Sequence, residues 1–130
     1  MSPIKVRSSR ASDIPLVIDS WAQSYFGSPA IRGCTRDNYF LPMHSHIVRI
    51  LSRPGVKLGV VCAQSDDDVI LGWACTEGEV LHYMWTRDSA DGMFEPFLLT
   101  AGTKVYTHKT KSFTPHNSWA FIPFLAWSDA

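Results

Sequence analysis

Between Val56 and Thr86 the chain carries three apolar runs, VKLGVVCA (Val56–Ala63), VILGWAC (Val69–Cys75) and VLHYMWT (Val80–Thr86). Only Gln64-Ser65-Asp66-Asp67-Asp68 and a turn at Glu77-Gly78-Glu79 separate them. Runs this short and rich in β-branched residues are strands, and connections this short join neighbours antiparallel. The pattern predicts a three-stranded meander at the centre of the fold. Everything else has to cover its faces or extend its edges.

The flanking segments supply the cover. Ile4-Lys5-Val6-Arg7 alternates and reads as a first strand. Ser12 offers a helix N-cap, with Asp13 in the first turn. Ile14, Val17, Ile18, Trp21, Ala22 and Tyr25 then recur on one helical face, and Gly27-Ser28-Pro29 ends the helix. A second helix falls within Thr35 to Ser52, with Tyr39, Met43, Ile47, Ile50 and Leu51 on one side and Pro54-Gly55 as its stop. Pro42 implies a kink or a start there. His44 and His46 fall on different faces and read as solvated or half-buried histidines. Beyond a helix beginning near Met93, Gly102 has the place of a C′ residue. Lys104 to Thr110 reads as a strand, and Ser118 to Trp127 as an edge or broken strand because of Pro123.

The 130 residues fit one domain, spanning 1–130, with a single core; 45% are apolar and 12% aromatic. Lys plus Arg equals Asp plus Glu at 12 each, and the arginines are scattered, which argues against a nucleic-acid or membrane-surface partner. No window approaches the ~18 apolar residues of a membrane span, and no signal peptide is expected. Cys34, Cys62 and Cys75 show no CxxC spacing; Cys62 and Cys75 lie within strands and read as buried thiols in a reducing compartment. Asp66, Asp67 and Asp68 lack the spaced ligands of a calcium loop and read as a solvated turn, so no metal is expected.

Val80 to Ala101, VLHYMWTRDSADGMFEPFLLTA, is a strand running through a glycine loop into a helix start. That arrangement presents unpaired backbone N–H groups to an anion. Asp88 and Asp91 stand where the anion would sit.

The order strand, helix, helix, three-strand meander, helix, strand, strand resembles the GNAT superfamily of N-acetyltransferases. Arg7 with Ala11-Ser12-Asp13 resembles the opening motif of that family, Leu71-Gly72-Trp73 its third strand, and Leu81-His82-Tyr83-Met84-Trp85 its fourth. Small acetyltransferase-like proteins of tailed bacteriophages are similar again. They share Asp19-Ser20-Trp21-Ala22-Gln23-Ser24-Tyr25, Leu81-His82-Tyr83 before the loop and Tyr106-Thr107-His108 after it. The resemblance implies an α+β fold: a mixed, mostly antiparallel sheet of about six strands flanked by about three helices.

It also implies an acyl-CoA site at Tyr83, Met84, Trp85, Asp91, Gly92, Met93 and Phe94. Active members read roughly R/Q-x-x-G-x-G/A there. Aligning Gly92 with a family glycine puts Asp91 at an arginine position and Phe94 at the second glycine. A carboxylate ~4–6 Å from a pyrophosphate costs on the order of 1 kcal/mol at surface-like dielectric. Phenylalanine also blocks the close backbone approach that glycine permits. No cofactor is therefore expected, and acetyl-CoA only if the chain is active. In an active protein His82, Tyr106 and His108 are the acid–base candidates, the last two sharing one strand face. The competing reading makes them hydrogen-bonded structural residues.

Trp119, Phe121, Phe124 and Trp127 make the C-terminal segment apolar on both strand faces, which suggests burial on both sides, including by a partner. The residues thus favour a non-catalytic, pseudoenzyme reading: a protein of acetyltransferase fold binding a virion or host protein, or a second copy of itself, in the host cytoplasm or the virion. The alternative is an acetyl-CoA-dependent N-acetyltransferase of a small amine or protein amine.

Overall fold

The computed structural model describes residues 3–28, 31, 33–87, 97–109, 115 and 117–127. The meander forms as its spacing requires: β2 (Val56–Ala63), β3 (Asp66–Glu77) and β4 (Val80–Thr86) pair antiparallel. β1 (Ile4–Ser8) adds antiparallel to β2. β5 (Val105–Tyr106) and β6 (Ala120–Phe121) add parallel beyond β4, giving one mixed six-stranded sheet in the order β1-β2-β3-β4-β5-β6. The element order is the one expected, in an α+β architecture. Two long helices, rather than three, cover it: α1 (Ile14–Phe26) and α2 (Arg36–Leu51). The other α-helical segment described, α3 (Phe97–Thr100), is a single turn.

α1 and α2 bury their apolar stripes on one face of the sheet. Val17, Trp21, Tyr39, Met43, Ile47 and Ile50 pack there against Val60, Trp73, Cys75 and Tyr83. Full burial of side chains this size contributes about 1.5–3 kcal/mol each. Leu99 of α3 packs on the opposite face, against Val61, Leu71, Ala74, Leu81 and Met84. Gly59 keeps that approach open, because a Cβ there would lie 3.2 Å from Leu99 Cδ2. Gly102, at φ +84°, takes the left-handed turn after α3 that glycine adopts without strain.

One irregularity positions the site. Cys75 and Thr76 of β3 face Tyr83 and Leu81 of β4, so His82 is an extra residue, a β-bulge. In a regular strand Leu81 and Tyr83 would share a face. Here Leu81 and Met84 share the α3 face, and Tyr83 packs under α1 and α2. His82 points the same way as Tyr83, toward the α1–α2 side, where Glu77 and Arg53 lie.

Several local expectations need correction. Asp13, rather than Ser12, organises the start of α1: its carboxylate accepts from Arg10 N at 2.7 Å and pairs with both terminal nitrogens of Arg7. α2 begins at its Thr35 cap, whose hydroxyl accepts from Asn38 N, and runs on through Pro42. β3 starts at Asp66, leaving Gln64-Ser65 as the turn. Asp67 is not merely solvated, since Lys5 and Arg10 pair with its carboxylate. β5 is two residues long instead of seven. Pro123 breaks the final segment as expected, into a 3-10 turn at Pro123–Ala126. Cys62 and Cys75 are buried free thiols, and burial pushes Cys75 up to about 12.

Candidate functional site

The three motifs of the family resemblance meet under α1. Trp21 stacks on Tyr83 with centroids 5.1 Å apart and planes 11° from parallel. Ser24 Oγ lies 2.8 Å from the Tyr83 hydroxyl, and Trp73 Nε1 donates to Ser20 Oγ at 2.8 Å. Tyr25 and Trp21 both meet the His108 ring edge-on, at 5.1 and 5.7 Å. Ser20, Trp21, Ser24 and Tyr25 of that motif thus lie on the inner face of α1, a wall of rings and hydroxyls around the residues following β5, while Asp19 is exposed.

A continuous chain of polar groups runs beneath that wall. Arg53 NH1 donates to Glu77 Oε1 at 3.1 Å, and His82 Nε2 lies 2.8 Å from the same oxygen. His82 Nδ1 is 3.1 Å from Thr107 Oγ1, which is 2.8 Å from His108 Nδ1. His108 Nδ1 also lies 2.8 Å from the His82 carbonyl, and its Nε2 is 3.1 Å from His46 Nε2. His46, His82 and His108 are all buried, and Glu77 is half-buried.

Acceptor-only partners assign the tautomers. A carbonyl cannot donate, so His108 carries its proton on Nδ1 and its bare Nε2 accepts from His46 Nε2–H. An ionised Glu77 cannot donate either, so His82 Nε2–H donates to it. That leaves His82 Nδ1 as an acceptor 3.1 Å from the Thr107 hydroxyl, whose other acceptor is the His82 carbonyl at 3.3 Å. His46 Nδ1 has no hydrogen-bond partner among the described residues.

The electrostatics agree with neutral imidazoles. Burial drives His108 down to about 3, with His46 and His82 as further unfavourable charges. It drives His46 down to about 4, reinforced by Arg49. His82 is also lowered by burial, and Glu77 opposes the shift. Burial works to raise the Glu77 carboxyl, and the hydrogen bonds from His82 and Arg53 outweigh it and hold it lowered.

The sequence candidates separate in space. His82 and His108 come together, joined through Thr107. Tyr106 does not share their face, because β5 ends at Tyr106: it packs with Leu81, Met84, Leu99 and Trp119 on the α3 side. Met84 lies on that side too, while Tyr83 and Trp85 pack with the helix-side core. Asp91, Gly92, Met93 and Phe94 lie outside the described residues. His46, expected solvated or half-buried, is 1% exposed. It sits three residues after Met43 and seven after Tyr39, so helical periodicity would have found it had polar residues been counted.

The C-terminal segment is not buried on both sides. Trp119 is half-buried, while Phe121, Phe124 and Trp127 are 40%, 67% and 56% exposed. Its backbone is nonetheless anchored: the buried Arg53 guanidinium donates to the Leu125 and Ala126 carbonyls, both at 2.9 Å. Trp127 stacks on His46 at 3.7 Å and carries Arg49 at 6.0 Å. Together with Tyr25, Ile31, Tyr39, Pro42 and Met43 it walls a groove of about 320 Å³. A second groove of about 450 Å³ lies between Ile14, Ile18 and Ala22 of α1 and Phe40 and His44 of α2. Among the described residues no cluster of three or more His, Cys, Asp or Glu could hold a metal ion. No described helix is long and apolar enough to cross a membrane.

No family model matches the chain, and no curated protein sequence does. Solved structures are similar at a distance. A transcriptional regulator from Bacillus halodurans C-125 is 12% identical, with a TM-score of 0.43 over 68% of this chain and 63% of that one. Spermidine N-acetyltransferase from Vibrio cholerae, solved with CoA and spermine, is 14% identical, with a TM-score of 0.39 over 75% of this chain and 57% of that one. The chain spans less than two thirds of either structure.

Proposed function

We propose that this is a protein of acetyltransferase-like fold that works by binding another protein and not by acyl transfer. The observation that carries the reading is the contrast within the C-terminal segment. Its backbone is tied down by a buried arginine, yet Phe124 and Trp127 face solvent. The two residues are three apart on a 3-10 turn, where side chains eclipse and share a side. Rigid aromatics lose little entropy on docking and are the usual anchors of interfaces. Asp91 and Phe94, in the place of the family's phosphate-gripping residues, support the same reading from the sequence side. The resemblance to phage-encoded proteins makes a virion or host protein the partner we favour.

Two measurements test this. Calorimetric titration with acetyl-CoA is expected to give no binding at micromolar concentration; micromolar or tighter binding overturns the reading. A photo-crosslinker at Phe124 is expected to trap one defined partner in infected cells, lost in Trp127→Ala. Diffuse labelling that Trp127→Ala leaves unchanged counts against it.

A second reading, acetyl transfer to an amine, is favoured by one feature: His82 is hydrogen-bonded to a half-buried carboxylate that could pass its proton on. It requires turnover of acetyl-CoA with some amine acceptor, and loss of that turnover in His82→Ala.

A further inference from the structure

We propose that His46, His108, Thr107, His82 and Glu77 form a polarised proton path joining the wall of the Trp127 groove to solvent. With the tautomers assigned above, the donors run head to tail. His46 Nε2–H donates to His108 Nε2, and His108 Nδ1–H reaches Thr107 Oγ1 as well as the His82 carbonyl. The Thr107 hydroxyl has two acceptors on His82, Nδ1 at 3.1 Å and the carbonyl at 3.3 Å, and donation to Nδ1 continues the chain; His82 Nε2–H donates to Glu77 Oε1. Head-to-tail order follows from neutral imidazoles, each with one donor and one acceptor, and it is the order a relay uses.

The step balances without any redox partner. A proton arriving at His46 Nδ1 forms one N–H bond as the Nε2–H bond breaks. His108 gains a proton at Nε2 and loses the one at Nδ1. Thr107 exchanges one O–H proton for another, and His82 gains at Nδ1 and loses at Nε2. Glu77 receives the last proton and, being partly exposed, yields it to water. The resting polarity is set, because the shifted arrangement turns the bare His108 Nδ1 toward the His82 carbonyl, lone pair against lone pair at 2.8 Å; back-transfer or reorientation restores it before the next proton passes, and the net direction follows the proton gradient. Neutral imidazoles are what such a relay needs, and burial keeps His46 and His108 neutral at ordinary pH.

The inner end is poised for a donor. His46 Nδ1 is buried and unpartnered among the described residues, and its ring lies against Trp127, a wall of the 320 Å³ groove. His46 stands behind Trp127 and does not itself line the groove; a bare imidazole nitrogen only accepts, so whatever loads the path has to reach it with an N–H or O–H. Neither Phe121 nor Phe124 belongs to the chain of hydrogen bonds, so loss of docking and loss of proton transfer are separable.

Nitrogen-15 NMR of the whole protein tests the path directly. Long-range proton–nitrogen spectra should show Nε2–H at His46, Nδ1–H at His108 and Nε2–H at His82. Exchange of the His46 Nε2 proton with water should be fast for so buried a group. It should slow at least tenfold in Thr107→Val and in Glu77→Gln, and stay unchanged in Thr107→Ser, which keeps the hydroxyl. Glu77 is partly exposed, so its variant reads the path even if Thr107→Val does not fold. Opposite tautomers, or exchange indifferent to Glu77→Gln, overturn the proposal.

Discussion

The molecule holds two polar networks built on opposite terms. At the β1 edge of the sheet, Arg7 makes a bidentate pair with Asp13 while Lys5 and Arg10 converge on Asp67. Beneath α1 and α2, three imidazoles and a hydroxyl lead to one partly exposed ion pair, Arg53 with Glu77. The first network is ionic, its Asp67 pairs open to water and its Arg7–Asp13 pair largely buried but bidentate; the second is buried and mostly neutral. Desolvating an ion costs several kcal/mol, whereas a neutral imidazole with its hydrogen bonds made costs far less. Charge is therefore kept where water or a counter-ion reaches it.

The largest effect expected from breaking this contrast comes from Arg53→Met. It leaves the Leu125 and Ala126 carbonyls and Glu77 without the guanidinium that joins them. We expect a loss of about 3 kcal/mol in urea unfolding, together with a shift in Trp127 fluorescence as the C-terminal turn loosens. A loss under about 1 kcal/mol would mean that the clamp is not what seats the segment.

Acid separates the two networks by window. His46 and His108 have folded values near 4 and 3, below the unfolded value of about 6.5. The unfolded chain binds protons first, so stability is full above about pH 6.5 and falls as pH drops toward 4. The slope is about 1.4 kcal/mol per pH unit for each histidine. Asp13 is held below its ordinary value, chiefly by the hydrogen bond from Arg7. Its contribution persists above about pH 4 and is lost only below it. A melting temperature flat between pH 6.5 and 4.5 would show that the histidines are not sealed.

How much of this was legible in the sequence differs between the networks and the frame. The meander, the first helix and the Pro123 break follow from local patterns, so they could be read directly. His82 and His108 could be nominated because they lie in motifs. Their connection could not, since it depends on the bulge that turns His82 to the helix side and on Thr107 coming beside it from just past the end of β5. Period-two reasoning also misplaced Tyr106, because β5 stops there and the face it implied does not continue to His108. His46 reads as solvated or half-buried from the sequence because a helix stripe traced through apolar residues alone passes over it. Glu77 read as part of a turn and Arg53 as a scattered cation, since nothing local announces a pair that forms between distant segments. The exposure of Phe124 and Trp127 belongs to the same class: apolar residues near a chain end suggest burial, and only the three-dimensional arrangement shows which stay outside.

The smallest expected effect sharpens the comparison from the open side. Asp67 is half-exposed, and it gathers Lys5 and Arg10 in a region where salt screens charge within about 8–10 Å. Exposed pairs lose much of their Coulomb gain to water and to side-chain entropy. Asp67→Asn should therefore change stability little at low salt and not at all in 1 M sodium chloride. Thr107→Val, in contrast, deletes a buried hydroxyl that pairs with two histidines, so its cost should be independent of salt. Urea unfolding of the two variants at both salt concentrations makes the check. If the cost of Thr107→Val fell with salt as the Asp67→Asn cost does, the buried chain would have to carry charge at neutral pH, and the neutral tautomers assigned to it would be wrong.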